Sequence, residues 1–107
     1  MSKRVFAAIP HHQREVEELR ADRELAVEYL KAAMDSVNNP EGRPAGLLAV
    51  RTVAEVYNGL AAVAADAGIS REALYRALST KGNPTLKTLL AVLKAAGMRL
   101  SVERVAP

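Results

Sequence analysis

A glycine turn divides two short helical stretches in the second half of this chain, LAAVAADA (60–67) and REALYRAL (71–78). The first stretch is almost wholly apolar, and the second mixes charged and apolar residues, so each needs a core to pack against. Gly68 permits a sharp turn with a positive φ, and Ser70 can cap the second helix by accepting a bond from a free backbone N–H. Two short helices joined by a tight glycine turn form the helix-turn-helix pattern. We therefore predict this motif at about residues 60–79.

The second helix of the pattern is expected to bury Leu74 and Leu78 and to present a polar face outward. That face and the loop after it carry Arg71, Glu72, Tyr75, Arg76, Ser79, Thr80 and Lys81. The first residues of a recognition helix reach base edges in the major groove. There an arginine donates two hydrogen bonds to guanine, and a glutamate accepts one from cytosine. Together with Ser70 these residues are the candidate DNA-binding set, and Lys81 suits a phosphate contact.

The basic charge of the chain is concentrated in the same half. Residues 59–107 carry seven Lys or Arg and three Asp or Glu, whereas residues 1–58 carry eight and nine. A local excess of positive charge attracts polyanions, nucleic acid first among them. An ordinary solvated surface can have the same charge, so the charge alone does not decide between the two readings.

Length and composition indicate one small domain. The chain has 107 residues, half of them hydrophobic, and four aromatic side chains, so its core must be built from Leu, Val and Ala. There is no cysteine, which excludes disulfides and cysteine-based zinc sites. No apolar run has the length of a signal peptide or a membrane span. We expect a soluble, cytoplasmic protein.

The remaining segments predict a mainly α-helical fold of about five helices. Asp22 is a plausible N-cap for a helix whose apolar face recurs at helical spacing, and Pro44 suits the first turn of the next helix. Residues 1–20 are predicted to form a flexible or partly helical arm, and residues 21–107 the domain. The last long helix follows a cap at Thr85, and its buried stripe is predicted to be Leu86, Leu89, Leu90 and Leu93.

A short strand is expected at about residues 98–105, because Met98, Leu100 and Val102 alternate with polar residues. No second strand is evident upstream, and a lone strand leaves its backbone groups unpaired. Pairing with the same segment of a second copy is the simplest remedy. Met98, Leu100 and Val102 are therefore the candidate dimerisation residues of a two-fold dimer.

Other chemistry finds little support in the sequence. His11 and His12 are adjacent, so regular structure does not converge them on one metal, and they are most simply exposed side chains of a flexible arm. Glu15, Glu17 and Glu18 belong to a charged, solvated segment. No nucleophile–histidine arrangement and no glycine-rich phosphate loop stands out. We expect neither an enzyme nor a metal or cofactor site.

A contiguous third of the chain resembles the end of the addiction-module antidote family, GISREALYRALSTKGNPTLKTLLAVLKAAGMRLSV (68–102). These are small helix-turn-helix proteins related to lambda-repressor-like domains and encoded beside RelE-like toxins. Weaker similarity extends back through VEYLKAAM and the helix that contains Pro44. The resemblance implies that the protein represses its own operator and neutralises a RelE-like toxin.

The chain departs from that family at Ala61 and Ala62, where such proteins often carry Ser or Gln to hold a phosphate. Residues 1–20 do not clearly match it either. Two other functions therefore stay open. One is a phage- or plasmid-type repressor without a toxin partner, and the other is a protein-binding module whose degenerate helix-turn-helix no longer reads DNA.

Overall fold

The structure is a computed structural model that describes residues 11–106, and this part of the chain is mainly α-helical. Its helices are α1 (His11–Ala21), α2 (Arg23–Asn38), α3 (Arg43–Val56), α4 (Leu60–Ala67), α5 (Arg71–Ala77) and α6 (Leu86–Ala95). The predicted helical class is confirmed, and the count of six in the described range is close to the expected five.

The charged segment before Asp22 is helical as α1, one of the two forms that the sequence left open. Leu19 is buried in a small cluster with Ala26 and Val56, which joins α1 to α2 and α3. His12 lies in this helix, with its Nε2 2.8 Å from a carboxylate oxygen of Glu55. His12 is exposed, as expected, but it lies in a helix that contacts α3 and not in a segment without contacts. Residues 1–10 of the predicted arm lie outside the described residues, and the arm–domain boundary stays a prediction.

Helices α2 and α3 pack closely against each other. The predicted cap is confirmed, since Asp22 Oδ1 accepts a bond from the N–H of Leu25 at 3.1 Å. The predicted face of α2 is confirmed too, with Leu30 and Ala33 in the main core. A contact that the sequence did not reveal is the close approach at Gly46, where a Cβ would lie 2.7 Å from the carbonyl oxygen of Ala33.

Helices α4 and α5 have the bounds that the sequence predicted, to within one residue. Gly68 ends α4 with φ of 74°, as expected for a glycine turn. The hydroxyl of Ser70 accepts a bond from the N–H of Ala73 at 3.0 Å, and that of Thr85 accepts one from Thr88 at 3.1 Å. These three local predictions are confirmed. Val63, Ala64 and Leu74 complete the main core together with α3 and α6.

The buried stripe predicted for α6 is partly wrong. Leu93 is buried and Leu89 is partly buried, but Leu86 and Leu90 are 59% and 42% exposed. The inward face is made instead by Thr88, Ala91, Val92 and Leu93. Helix α6 is apolar on most of its circumference, so periodicity alone could not show which side meets α4.

The predicted strand at 98–105 is also wrong for this chain. Residues 98–106 adopt no regular secondary structure, because the described part of the chain offers them no neighbouring strand to pair with. Met98 packs partly against the core, and its N–H donates to the carbonyl of Leu93 at 2.8 Å. Leu100 and Val102 are exposed, at 50% and 95%.

No single helix within residues 11–106 is long and apolar enough to cross a membrane. Helices α3 and α4 together reach that length and apolarity, but they are bent by 104° to each other.

Candidate nucleic-acid interface

Helix α5 is held in place by its inner side and by its N-terminal turn. Leu74 and the following Leu78 are fully buried. The chain enters the helix through a turn in which the N–H of Ile69 donates to the carbonyl of Ala64 at 3.0 Å. With the Ser70 cap, these contacts fix both the direction of α5 and its rotation about its own axis. Its polar side therefore has a defined orientation relative to the core.

The outward side of α5 carries Arg71, Glu72, Tyr75 and Arg76, all exposed. These four residues line a shallow depression of about 350 Å³. None of the three charged side chains forms an ion pair with another described residue. The face thus presents two unneutralised cations, one anion and a half-exposed aromatic ring to solvent. Such a surface can donate and accept hydrogen bonds and can attract an anionic partner.

The remaining predicted site residues lie at the two ends of this face. Ser70 uses its hydroxyl as the helix cap, and Ser79 donates its hydroxyl to the carbonyl of Arg76 at 2.6 Å. Thr80 and Lys81 are exposed in the loop that follows. The structure therefore places the predicted set along α5 and the loop that follows it, but it commits the two serine hydroxyls to the ends of α5.

Comparison with known proteins gives the chain a family. A family described as "Probable addiction module antidote protein" has a sequence model that matches residues 12–104. The chain belongs to this antidote family. An antidote acts against a toxin, so the assignment supports an antitoxin role.

One relative of this antidote-family chain is an uncharacterised protein of Haemophilus influenzae. The two are 45% identical over 58 residues, which is 54% of this chain and 59% of the relative. The chain therefore matches little more than half the length of that relative. No solved structure matches the chain at a significant level.

Two cations near the α5 face were missed by sequence reasoning. Arg51, on α3, places its guanidinium carbon 4.0 Å from the centroid of the Tyr75 ring. Lys87, on α6, has its Nζ 3.2 Å from the position that a Cβ on Gly68 would occupy, so it lies beside the turn between α4 and α5. Neither position carries a local sequence signal, since each is a surface cation brought to the site only by helix packing.

A second groove lies between α4 and α6 and has a volume of about 610 Å³. Alanines make up half of its lining residues, and its charged residues, Lys94 and Asp66, face each other at 3.8 Å. Because these charges offset each other, this groove has no net attraction for an anion. The α5 face is the better candidate for a nucleic-acid interface.

Metal-ligating side chains do not converge anywhere in residues 11–106, where no group of three or more His, Asp or Glu could hold an ion.

Proposed function

We propose that this antidote-family protein is a cytoplasmic, antitoxin-type transcriptional regulator. It binds operator DNA through a lambda-repressor-like helix-turn-helix formed by α4 and α5, and it neutralises a cognate RelE-like toxin. The observation that carries the DNA-binding part is the outward face of α5, with its two arginines free of ion pairs. The toxin-binding part rests on the family assignment.

In the proposed complex, α5 lies in the major groove with its N-terminal turn toward the bases. Arg71 donates two hydrogen bonds to a guanine, and Glu72 accepts one from a cytosine. Arg76 lies one turn further along, where a base or a phosphate is within reach. Because Arg71 and Arg76 have no intramolecular ion pair to break, they can bind DNA without losing such a contact.

The loop after α5 supplies backbone contacts in this proposal. Thr80 and Lys81 are exposed there and approach a phosphate on the edge of the groove. Ser70 and Ser79 act indirectly, because their hydroxyls hold the two ends of α5. Their role is to position the helix that reads the bases.

A homodimer is part of the proposal, since proteins of this motif read two half-sites about one helical turn apart. Exposed apolar side chains are concentrated towards the end of the chain, at Leu86, Leu90, Leu100, Val102 and Val105. We take these residues as the dimer surface, because exposed apolar patches are typical of association sites. We expect Leu100→Ser combined with Val102→Ser to convert a dimer to a monomer in sedimentation. Leu25→Ser, at an exposed leucine of α2, is the matched control and should leave the dimer intact.

DNA binding is tested with duplexes from upstream of the protein's own gene. Arg71→Ala should weaken specific binding by roughly 1–3 kcal/mol and relax the preference at one base pair. Lys81→Ala should weaken binding to all duplexes about equally and reduce the salt dependence. Lys31→Ala, at an exposed lysine of α2, is the control for loss of one positive charge.

Operator binding that is unchanged in both Arg71→Ala and Lys81→Ala, with folding intact, would show that α5 is not the recognition helix. Toxin binding is tested separately by co-purification with the product of the neighbouring reading frame and by rescue of growth. Failure of both toxin assays alongside normal operator binding would favour a repressor without a toxin partner.

One observation favours the alternative of a protein-binding module. Ala61 and Ala62 are exposed at the start of α4, where they offer no side-chain donor to a phosphate. Backbone N–H groups at this helix start can still bind a phosphate. The test compares the wild type with a variant that carries both Ala61→Ser and Ala62→Gln. If the variant binds DNA and the wild type does not, the natural motif has lost its DNA-reading function.

A further inference from the structure

Arg51 stands apart from the other arginines of the structure. It belongs to α3, outside the α4–α5 pair, and its guanidinium lies over the ring of Tyr75 on α5 at 4.0 Å from the centroid. It forms no hydrogen bond or ion pair with any other residue of 11–106. The side chain is half-buried, so its long stem is ordered by packing while its charge has no partner of opposite sign.

A second arginine–tyrosine pair shows what a structural arginine looks like in this fold. Arg23 lies over Tyr57 at 5.3 Å, and its Nη2 donates to the carbonyl of Ala96 at 2.7 Å. That bond links α2 to the end of α6, so the guanidinium of Arg23 is occupied. Arg51 has the aromatic contact without such a bond, and its N–H donors are free for a ligand.

The stacked arrangement suits one class of ligand. A guanidinium has five N–H donors in one plane, which match the paired oxygens of a phosphate, and an aromatic ring under its face leaves the donors at its edge available. The ring also restricts the side chain before binding, so less conformational freedom is lost when a phosphate is bound. A free arginine in water lacks this preorganisation.

The surroundings of Tyr75 favour an anion. Arg71 and Arg76 share the depression with Tyr75, and Glu72 is its one acidic residue. With Arg51, the surface around the Tyr75 ring carries three cations and one anion. The negative charge of a DNA phosphodiester is complementary to this net positive charge. If the proposed function holds, binding of α5 to DNA places a phosphodiester beside Arg51.

We propose that Arg51 and Tyr75 form a phosphate-binding site at the border of the α5 face. Arg51 binds a backbone phosphate of the operator, and Tyr75 is the platform that orients the guanidinium. The inference rests on the proposed DNA binding and gives Tyr75, a member of the candidate DNA-binding set, a specific role in it. Tyr75 acts through its ring on Arg51 and not as a reader of bases.

The test compares four variants with the full-length wild-type protein. Arg51→Gln removes the charge, Arg51→Lys keeps the charge without the planar fork, Tyr75→Phe keeps the platform, and Tyr75→Leu removes it. Lys31→Gln is the control for the loss of one remote charge. Binding to a fluorescent operator duplex and to an unrelated duplex is measured by anisotropy over a range of salt concentrations, and folding is checked by thermal unfolding.

Arg51→Gln should weaken binding to both duplexes by the same factor, and the slope of log K against log salt should fall in magnitude by about 0.9, the value for one phosphate contact. Arg51→Lys should retain most of that slope but bind more weakly than wild type. Tyr75→Phe should bind like wild type at every salt concentration. Tyr75→Leu should be weakened, and adding Arg51→Gln to it should cause little further loss.

An unchanged salt slope in Arg51→Gln, with Arg71→Ala still impaired, would overturn the Arg51 site and leave the proposed function standing. A loss confined to the operator duplex would also overturn it, because a phosphate contact carries no sequence preference. If Arg51→Gln does not fold, the contrast between Tyr75→Phe and Tyr75→Leu decides, and equal binding by these two variants refutes the platform. If the wild type binds no DNA, the proposed function and this inference both fail.

Discussion

The first three helices and the last three differ in how much of their arrangement depends on contacts between residues far apart in the chain. In α1–α3 the defining contacts join residues far apart in the chain. His12 meets Glu55 at 2.8 Å, and Gly46 lets α3 approach the backbone of α2 at Ala33. Helices α4–α6 also share the main core, but the starts of α5 and α6 are each fixed by a cap that spans only three residues, at Ser70 and at Thr85.

This difference has consequences for what each group of helices can tolerate. A cap satisfies a backbone N–H that a helix end leaves unpaired, and it does so wherever the helix is placed. A close helix crossing depends on the partner helix being in register. We therefore expect α1–α3 to fold only as a packed unit. The orientation of α5, which carries the candidate site, is set in part by its own sequence.

The largest effect is expected from truncating one buried leucine in each group. Leu74 and Leu19 are 0% and 2% exposed, so replacing either with Ala leaves a cavity. Leu74→Ala should lower the free energy of unfolding by about 2–5 kcal/mol. The loss of unfolding free energy for Leu19→Ala should lie at the lower end of the same range, because the cluster of Leu19, Ala26 and Val56 is small. Urea unfolding followed by circular dichroism measures both.

The Leu19 variant also decides how α1 belongs to the fold. A change within about 0.5 kcal/mol, the usual range for surface substitutions, would mean that α1 does not fold with the rest. Residues 1–20 would then be the arm that the sequence predicted. Arg20→Ala, one position further along the exposed side of α1, is the control.

The same division explains what the sequence could predict. Gly68, Ser70 and Thr85 are local signals, because a positive φ or a cap needs only the residue and its neighbours. These were predicted residue by residue, and so was the exposure of Arg71 and Arg76 on α5.

Contacts between helices were missed for a physical reason. Arg51 reaches Tyr75 only because the fold brings the surfaces of α3 and α5 side by side, and no spacing in the sequence links the two residues. The outward position of Leu86 and Leu90 was missed because α6 offers apolar side chains on most sides. The prediction of a strand was wrong because alternating apolar and polar residues indicate the two faces of a strand but not whether a second strand lies beside it. The sequence thus located the candidate site but not its full set of cations.

A smaller change in the free energy of unfolding is expected from Gly46→Ala. Its sign shows whether α2 and α3 cross closely at this position. Alanine in an exposed helix interior is favoured over glycine by about 1 kcal/mol, so Gly46→Ala would stabilise α3 if α2 were distant. In the structure a Cβ at Gly46 would lie 2.7 Å from the Ala33 carbonyl oxygen and 2.9 Å from Val37 Cγ2. Both neighbours must move, at a cost of typically 1–3 kcal/mol for overpacking.

We therefore expect Gly46→Ala to lower the free energy of unfolding. The measurement is chemical unfolding of this variant beside the wild type. A stabilised Gly46→Ala protein would contradict the close crossing of α2 and α3, and with it the contrast drawn between the two groups of helices.

The smallest effect is expected at high pH, from a tyrosine at the junction of α1, α2 and α3. Tyr29 packs against both apolar clusters. Burial raises its pKa to about 12 from the usual 10.0. A hydrogen bond with Thr52 opposes this rise in pKa, and the negative charge of Glu15 adds to it. Because the folded state holds this proton more tightly than the unfolded state, its contribution to stability is fully present below pH 10 and is lost as the pH rises through about 12. A phenolate absorbance titration should show a step near pH 12 that disappears in Tyr29→Phe and persists in Tyr75→Phe. If α1 were detached, Tyr29 would be more solvated and this late step would be missing from the wild type, so the titration reports whether the long-range contacts of the first group are made in solution.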